Sequence, residues 1–448
     1  METIDQFLLI VGVILIGIAG FLLLKHTQPL RWTRLTLPVT IWFAYLFFLV
    51  IPSIKIVISD APPQGDLTLG LVLLGVLTIP LGILTANAVW RFYPEEIDKF
   101  YSADLPAILS WERKRLIILT GIAIFFSILF FLETGVPPIF QAFLHPGEYD
   151  FLAHLRESVT ATLPSPFNYI YFILRQFGWA FILSCWLGAA STERWSIKQW
   201  IGLAVVFVFA LVYCSATLTR SPPAVLFIVI FLFYYLLRKG RMPFRVMLLA
   251  PILIFAIPIV VLFLHDPSRS WESIWIGLEE RIFYAPAKLN FEYIRIFPEQ
   301  IDFLYGRGIG KLASIGGLFY PGYEYFPISQ EVYRRLFPDL PYQGNAPAPF
   351  VGTAYANWGL VGPPLYGLLI GFILQSVQVW LLRQPKNVFV LATQAVLFYS
   401  FFEINRTDFF ACMLSYGGLL LPIGLVFLRT RWNVFKGGEV SWRNAVSG

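Results

Sequence analysis

Long apolar runs, separated by short polar connections, make up most of this chain. A run of about 18 residues or more is long enough to cross the ~30 Å hydrocarbon core of a bilayer as a helix. The pattern predicts an all-α, polytopic membrane protein in which residues 1–448 form a single integral membrane domain. Eleven spans are expected, at 7–24, 36–54, 68–90, 116–133, 168–190, 199–217, 222–237, 246–264, 358–382, 387–403 and 409–428.

One polar insert, residues 265–350, interrupts this pattern and holds eight basic and ten acidic residues. So large a polar elaboration favours chemistry at a membrane surface over simple conduction or anchoring. An amphipathic helix is predicted within the insert from apolar residues that recur at helical spacing, Trp271, Ile274, Trp275, Leu278 and Ile282. A second helix is expected from Leu289 to Phe297.

A shorter polar segment, residues 134–167, is the other long connection. Its residues Phe151, Leu152 and Leu155, with charges between them, predict a short interfacial helix. Both this segment and the 265–350 insert are predicted to be external loops.

Composition agrees with a membrane protein. The chain is 57% hydrophobic and 13% charged, with a mean hydropathy of +0.69, well above a soluble globular protein. The first apolar run lacks a basic leading region and a small-residue cleavage site, so we expect a retained helix and not a signal peptide.

The 33 Lys and Arg residues lie mostly in one alternating set of connections and in the C-terminal tail. The positive-inside rule places this set in the cytoplasm, and the N-terminus and both long loops outside. The net charge of +6 is therefore interpreted as a topology signal. No nucleic-acid partner is expected, because the basic residues are scattered over short loops.

Several kinds of chemistry find little support. Cys185, Cys214 and Cys412 lie within apolar runs, where small buried side chains are usual, and their spacing fits neither a zinc site nor a disulfide framework. A phosphate-binding G-x-x-x-x-G-K-[ST] motif is missing, which argues against an ATP-driven pump. The glycine-rich residues 306–310 lack the strand–helix context of a nucleotide fingerprint.

Three arginines are predicted at the external membrane boundary. Arg220 and Arg406 fall in tight turns between apolar runs, and Arg175 falls inside one. Charged groups at such depth are costly and usually face a bundle interior or a wet cavity. Two structural explanations compete: Arg175 can snorkel to the interface, and Arg406 can pair with Glu403 or Asp408.

A guanidinium is permanently charged and can bind phosphate oxygens with two parallel hydrogen bonds. The head of a lipid diphosphate sits at this depth of the membrane. The usual alternative is a divalent metal held by paired carboxylates, but the chain contains no D-x-D motif. A diphosphate site built from arginines is therefore expected, with neither metal nor cofactor.

These features resemble the Wzy-type O-antigen and oligosaccharide repeat-unit polymerases. Most of the architecture is similar, and four short patches match in order: the Thr219–Ser221 turn, the Gly306–Gly310 stretch, the return Gly352–Gly362 and the acid-flanked Arg406 turn. The resemblance implies a class C glycosyltransferase-like fold in the bacterial cytoplasmic membrane. It also implies lipid-linked oligosaccharide donor and acceptor substrates on undecaprenyl diphosphate.

Residue roles follow from this resemblance and from the arginine argument together. Glu403, Asp408, Glu279 and Glu280 are candidates for the catalytic base, although plain pairing with nearby arginines explains them equally well. Membrane lipids and a chain-length-regulating co-polymerase are candidate partners. Diphosphate binding is assigned to Arg220, Arg406, Arg281 and Arg175, and glycan binding to Asn345, Tyr355, Trp358 and Arg307.

Other functions remain open. O-antigen ligases share this plan but typically carry a His-Asn pair where this chain has Gly344-Asn345, which favours a polymerase. A non-enzymatic transporter of the same lipids is an alternative, although the large insert argues against it. A membrane acyltransferase would need a histidine deep in the bundle, and the four histidines lie outside the predicted spans.

Overall fold

The computed structural model describes twelve stretches of the chain. They are residues 2–26, 35–135, 138–145, 148, 151, 165–217, 221–239, 256, 259–260, 270–309, 324–339 and 344–429.

The described residues are helical or irregular, and none of them forms a β-strand. Short π-helical turns at Leu46–Val50, Leu174–Gly178 and Glu280–Tyr284 join consecutive helices, as does a 3-10 turn at Gly359–Val361. The helices are α1 Glu2–His26, α2 Leu37–Tyr45, α3 Ile51–Asp60, α4 Gly65–Trp90, α5 Glu95–Ser102, α6 Ser110–Thr134, α7 Pro138–Leu144, α8 Ser165–Ile173, α9 Trp179–Thr192, α10 Ile197–Ser215, α11 Ser221–Leu237, α12 Trp271–Glu279, α13 Ala285–Ile296, α14 Ile328–Leu336, α15 Phe350–Trp358, α16 Gly362–Leu382, α17 Val388–Phe402, α18 Phe409–Leu414 and α19 Leu420–Arg429.

Seven helical segments among the described residues are long and apolar enough to cross a membrane. The all-α, multi-pass expectation is thus confirmed, whereas the count of eleven spans is not. Two predicted spans match shorter apolar helices, at Ile10–Leu23 and in α11, and the predicted span at 246–264 lies almost wholly outside the described residues. The seven segments are Leu37–Asp60, Gly65–Trp90, Ser110–Thr134, Phe167–Thr192, Ile197–Ser215, Phe350–Leu382 and Val388–Asn405.

The prediction of one continuous span at 409–428 is wrong. Two short helices, α18 and α19, occupy this run and are separated by residues 415–419. Gly417 has a φ of +94°, which a helix cannot accommodate and which glycine adopts without a steric penalty. The Ser400 hydroxyl donates to the Tyr416 carbonyl oxygen at 2.5 Å and so supplies a partner for a carbonyl inside the break.

Helix α17 lies at the centre of the bundle, because 94% of the residues in the apolar segment Val388–Asn405 are buried. Helices α2, α9, α11 and α19 pack around it. In the peripheral helices α6 and α10, only 28% and 17% of the residues in the apolar segment are buried, as expected of helices whose outer faces meet lipid. Buried tryptophans in this core keep their indole N–H groups paired; Trp42 Nε1, for example, donates to the Val76 carbonyl oxygen at 3.1 Å.

Helices α4 and α16 approach each other closely, because small residues line their contact. A Cβ atom added at Gly82 would collide with the Leu368 carbonyl oxygen, and one added at Gly371 would collide with the Ile79 carbonyl oxygen. Membrane helices lack a hydrophobic driving force between them, so this close backbone approach stabilises the pair through van der Waals packing.

Gly82→Ala is therefore expected to lower the thermal stability of the detergent-purified protein, because α16 must move away from α4. Gly70 lies on the same helix with open space around its Cβ position. Gly70→Ala is the matched control and should be neutral or slightly stabilising, since glycine in a helix interior costs about 1 kcal/mol relative to alanine. Equal melting temperatures for the two variants would contradict the close-packing account.

The basic connections meet at one end of the bundle, here called the basic end, formed by residues 91–109, 193–196, 238–239 and 383–387. Arg383 binds Glu96 there in a bidentate pair, with Nε–Oε2 at 2.8 Å and Nη2–Oε1 at 3.1 Å. This pairing holds the pKa of the Glu96 carboxyl below its ordinary value. Lys239 Nζ lies 2.7 Å from Asp104 Oδ1 in the same region.

The described part of the 265–350 insert lies at the opposite end, here called the insert end. Gln64, between α3 and α4, donates to Glu299 Oε1 at 2.5 Å. Helix α13 packs against α15, where Asn290 Oδ1 accepts a hydrogen bond from the Gly352 N–H at 2.9 Å. Because α17 starts at the basic end, the turn that follows it also lies at the insert end.

Helix α12 forms where the apolar spacing predicts it, and it is two-faced. Ile274 and Leu278 are buried, whereas Trp271, Trp275 and Ile276 are 67%, 64% and 57% exposed. Tryptophans such as Trp271 and Trp275 on an exposed face are typical of helices at a membrane–water interface.

Candidate functional site

The turn that follows α17 brings an acid and an arginine together. The backbone N–H groups of Arg406 and Thr407 both donate to the Glu403 carbonyl oxygen, at 2.9 and 2.8 Å, and this fixes a tight turn. Arg406 Nη1 then lies 3.6 Å from Glu403 Oε1. The Glu403 side chain is 7% exposed and that of Arg406 is 40% exposed, so the arginine stands between the buried acid and solvent.

The Arg406 guanidinium keeps most of its hydrogen-bonding capacity. Glu403 is its one ion-pair partner within the described part of the chain, and that contact is longer than a normal hydrogen bond. The nearby Glu403 carboxylate raises the pKa of Arg406 above its ordinary value, so the group stays charged.

Arg175 reaches the same region from a different helix. It lies in the π-helical turn between α8 and α9, and its Nη1 donates to Thr217 Oγ1 at 2.7 Å. Its Nε is buried and makes no hydrogen bond to any described residue. A buried, unpaired guanidinium N–H is unfavourable unless a ligand or water binds it.

Tyr416 lies in the neighbourhood of both arginines. Its side chain lies within electrostatic range of Arg175, Arg406 and Glu403. Its ring also packs against Phe172, at 5.7 Å between centroids, and Phe172 in turn lies under the Arg175 guanidinium. Residues that the sequence separates widely therefore form one group, here called the arginine cluster: Arg175, Tyr399, Glu403, Arg406 and Tyr416.

Three residues of this neighbourhood, Gln176, Tyr399 and Tyr416, were not predicted from the sequence. The Tyr399 side chain lies within electrostatic range of the Glu403 carboxylate, and Gln176 Nε2 donates to Tyr399 Oη at 3.3 Å. The adjacent polar residues Arg175 and Gln176 in an apolar run were the available signal for Gln176. Tyr399 and Tyr416 carry no such signal, because tyrosine is common in membrane helices.

Arg220 lies outside the described residues. Its described chain neighbour Thr217, three residues earlier, contacts Arg175. Helix α11, which starts at Ser221, also packs against the π-helical turn that carries Arg175. The assignment of Arg220 to diphosphate binding stays a prediction.

Asp408 has a different environment from Glu403. Its Oδ2 accepts hydrogen bonds from the Phe410 and Ala411 N–H groups, at 2.8 and 3.1 Å, and so caps the start of α18. Burial raises the pKa of the Asp408 carboxyl, while these backbone N–H groups act to lower it. The charge of Asp408 acts on Tyr293 and Tyr366, away from the arginine cluster.

Glu279, Glu280 and Arg281 lie on the insert, at the junction of α12 and the following π-helical turn. Glu280 Oε1 lies 2.9 Å from Lys288 Nζ in a half-exposed ion pair, and Arg281 is exposed. None of the three contacts the arginine cluster directly among the described residues. An aromatic chain joins the two regions, since Phe48 packs against both Phe283 and Phe402, at 5.2 and 5.1 Å.

The glycine-rich stretch is docked on helix α15. The N–H groups of Gly306 and Gly308 both donate to Asn357 Oδ1 at 3.2 Å. Gly306 has a φ of +92°, and a Cβ atom at Gly308 would crowd Asn357. Arg307 turns its Nε back to the Leu304 carbonyl oxygen at 3.3 Å. This part of the motif therefore has a structural explanation.

The other glycan-binding candidates differ in accessibility. Tyr355 is only 5% exposed and packs against Phe303 at 5.5 Å, so its ring face is not available in this structure. Trp358 is 41% exposed, and Asn345 is exposed. Trp358 and Asn345 are thus accessible to a glycan, and all three assignments stay predictions.

Comparison of the chain with family models, with curated proteins and with solved structures gives no match. Function therefore has to be argued from the site alone. No group of three or more His, Cys, Asp or Glu side chains with metal-binding geometry occurs in the described ranges.

Proposed function

We propose that this chain is a membrane glycosyltransferase that joins polyprenyl-diphosphate-linked oligosaccharide repeat units into a polymer. One observation carries the proposal. Two arginines from separate parts of the chain, Arg175 and Arg406, lie within electrostatic range of the same residue, Tyr416. Arg406 lies 3.6 Å from a buried acid, Glu403, and both arginines keep guanidinium N–H groups that the described residues do not bind.

The arrangement suits a diphosphate. Two fixed guanidinium groups suit the anionic oxygens of a leaving diphosphate better than lysine ammonium groups would. Each guanidinium can bind two oxygens through a planar pair of N–H groups. A cluster preorganised in this way stabilises negative charge as it develops on the leaving group. The lipid chain of the substrate would then lie among the apolar helices, with its glycan facing the insert.

Glu403 is the candidate general base. In the proposed step an acceptor hydroxyl oxygen attacks the anomeric carbon of the donor, and the hydroxyl proton passes to the Glu403 carboxylate. The anomeric carbon–oxygen bond breaks at the same time, and the diphosphate departs with the electron pair, held by Arg175 and Arg406. Attack opposite the leaving group inverts the anomeric centre. Asp408 acts as a helix cap.

The proposed orientation places the basic end in the cytoplasm and the arginine cluster at the outer face of the cytoplasmic membrane. The concentration of Lys and Arg in the short connections of the basic end supports it, because the positive-inside rule counts short loops. The buried positions of the native residues Cys185, Cys214 and Cys412 make cysteine labelling a clean test.

Impermeant thiol reagents should label exposed cysteines introduced at Glu299 and Asp339 in intact cells. Cysteines introduced at Ala103 and Arg194, at the basic end, should react only after the membrane is opened. The reverse pattern would invert the topology and remove the outer-face mechanism.

Activity is tested with purified protein and lipid-linked repeat units as the only substrates. A polymerase produces a ladder of chain lengths and releases polyprenyl diphosphate. A transporter moves the substrate across a membrane without lengthening it.

A further inference from the structure

A cavity lies at the basic end, far from the arginine cluster. Its volume is about 1030 Å³, and it is lined by the ends of α9 and α11, by Trp200 at the start of α10, and by residues 103–105. That volume reaches the upper end of the roughly 300–1,000 Å³ range of ordinary ligand pockets.

The interior and the rim of this cavity differ in chemistry. Leu187, Phe227, Ile230 and Phe231 supply apolar walls, as fits hydrocarbon. The cationic side chains Arg238, Lys239 and Lys386 lie at its polar edge, against the single acid Asp104. Three positive charges opposed by one negative charge leave a net positive rim.

The rim charges are only partly neutralised. Lys239 Nζ pairs with Asp104 Oδ1 at 2.7 Å, and the Asp104 side chain is 90% exposed. Arg238 Nε donates to Tyr234 Oη at 3.1 Å, and its guanidinium lies over the Tyr234 ring, so its exposed N–H groups face the rim without an acidic partner among the described residues.

We infer that this cavity binds an anionic phospholipid, with its acyl chains among the apolar walls and its phosphate at Arg238. Charge complementarity carries the inference, because the cationic group of a zwitterionic lipid would add positive charge to a rim that is already positive. Basic pockets between transmembrane helices on the cytoplasmic side are a recognised type of lipid headgroup site. The inference does not depend on the proposed glycosyl transfer, because the site lies at the opposite end of the bundle.

Native mass spectrometry of the full-length, detergent-purified chain tests this inference. The probes are phosphatidylglycerol, phosphatidylcholine and free glycerol phosphate. Wild-type protein should retain phosphatidylglycerol in preference to phosphatidylcholine and should not retain glycerol phosphate. Arg238→Gln should weaken phosphatidylglycerol binding about fivefold, the effect of roughly 1 kcal/mol per basic residue near an anionic surface.

Arg194→Gln is the matched control, because Arg194 is exposed at the same end but does not line the cavity. Ala190→Phe should weaken retention by narrowing the apolar part of the cavity, where an acyl chain would lie; Ile230→Trp replaces it if that variant does not fold. Equal retention of both lipids, unchanged binding by a folded cavity-narrowing variant, or binding of glycerol phosphate alone would each overturn the inference.

Discussion

Arg406→Ala is expected to reduce polymer formation by about 10²–10³-fold, because loss of one preorganised charge donor at a reacting centre typically has an effect of this size. Folded protein should remain, because the 3.6 Å contact with Glu403 is longer than a hydrogen bond and the buried Glu403 carboxyl can take up a proton when its partner is removed. Arg406→Lys should recover part of the activity, because lysine keeps the charge and loses the planar pair of donors. Chain length on gels and the thermal melt are the two readouts.

Arg334 provides a matched control. It also pairs with a glutamate three residues earlier, Glu331, with Nη1–Oε2 at 2.8 Å, but its side chain is 69% exposed on the insert. Arg334→Ala should leave both readouts unchanged. Arg220→Ala is expected to behave like Arg406→Ala. Wild-type ladders from both Arg220→Ala and Arg406→Ala would eliminate the diphosphate assignment.

Glu403→Gln is expected to reduce activity by roughly 10²–10⁴-fold, the usual range for loss of a general base. Glutamine keeps the length and shape of the side chain and removes its charge, so the fold should survive. Asp408→Asn should retain activity, because asparagine caps a helix about as well as aspartate; Asp408→Ala should lose about 1 kcal/mol of stability. An active Glu403→Gln variant with an inactive Asp408→Asn variant would transfer the role of base to Asp408.

Hydrophobic periodicity predicted the helices well where apolar runs are uninterrupted. The Val388–Phe402 helix follows directly from its composition, and the amphipathic helix at Trp271–Glu279 follows from its spacing. The break within 409–428 was not predicted, because Gly417 is one of several glycines in apolar runs and others continue as helix. Only the backbone conformation distinguishes it.

The site was predictable in part. Depth in the membrane marked Arg175 and Arg406 as unusual, and in the structure both lie within electrostatic range of Tyr416. Their proximity depends on how α9, α11 and α17 pack, which no local pattern specifies. The glycine-rich stretch has a structural role that its sequence did not predict: Gly306 and Gly308 bind the Asn357 side chain and fix this part of the insert to α15.

The most direct test of the central claim is a reconstitution assay. Purified protein, in liposomes that contain only polyprenyl-diphosphate-linked repeat units, is incubated in excess EDTA, and the glycan products are separated by length. The account predicts a ladder of lengths and one released polyprenyl diphosphate per linkage formed, both lost in Arg406→Ala. Folded protein that yields no chain longer than one unit, or a ladder that requires added magnesium or manganese, would contradict a glycosyl transfer driven by arginines.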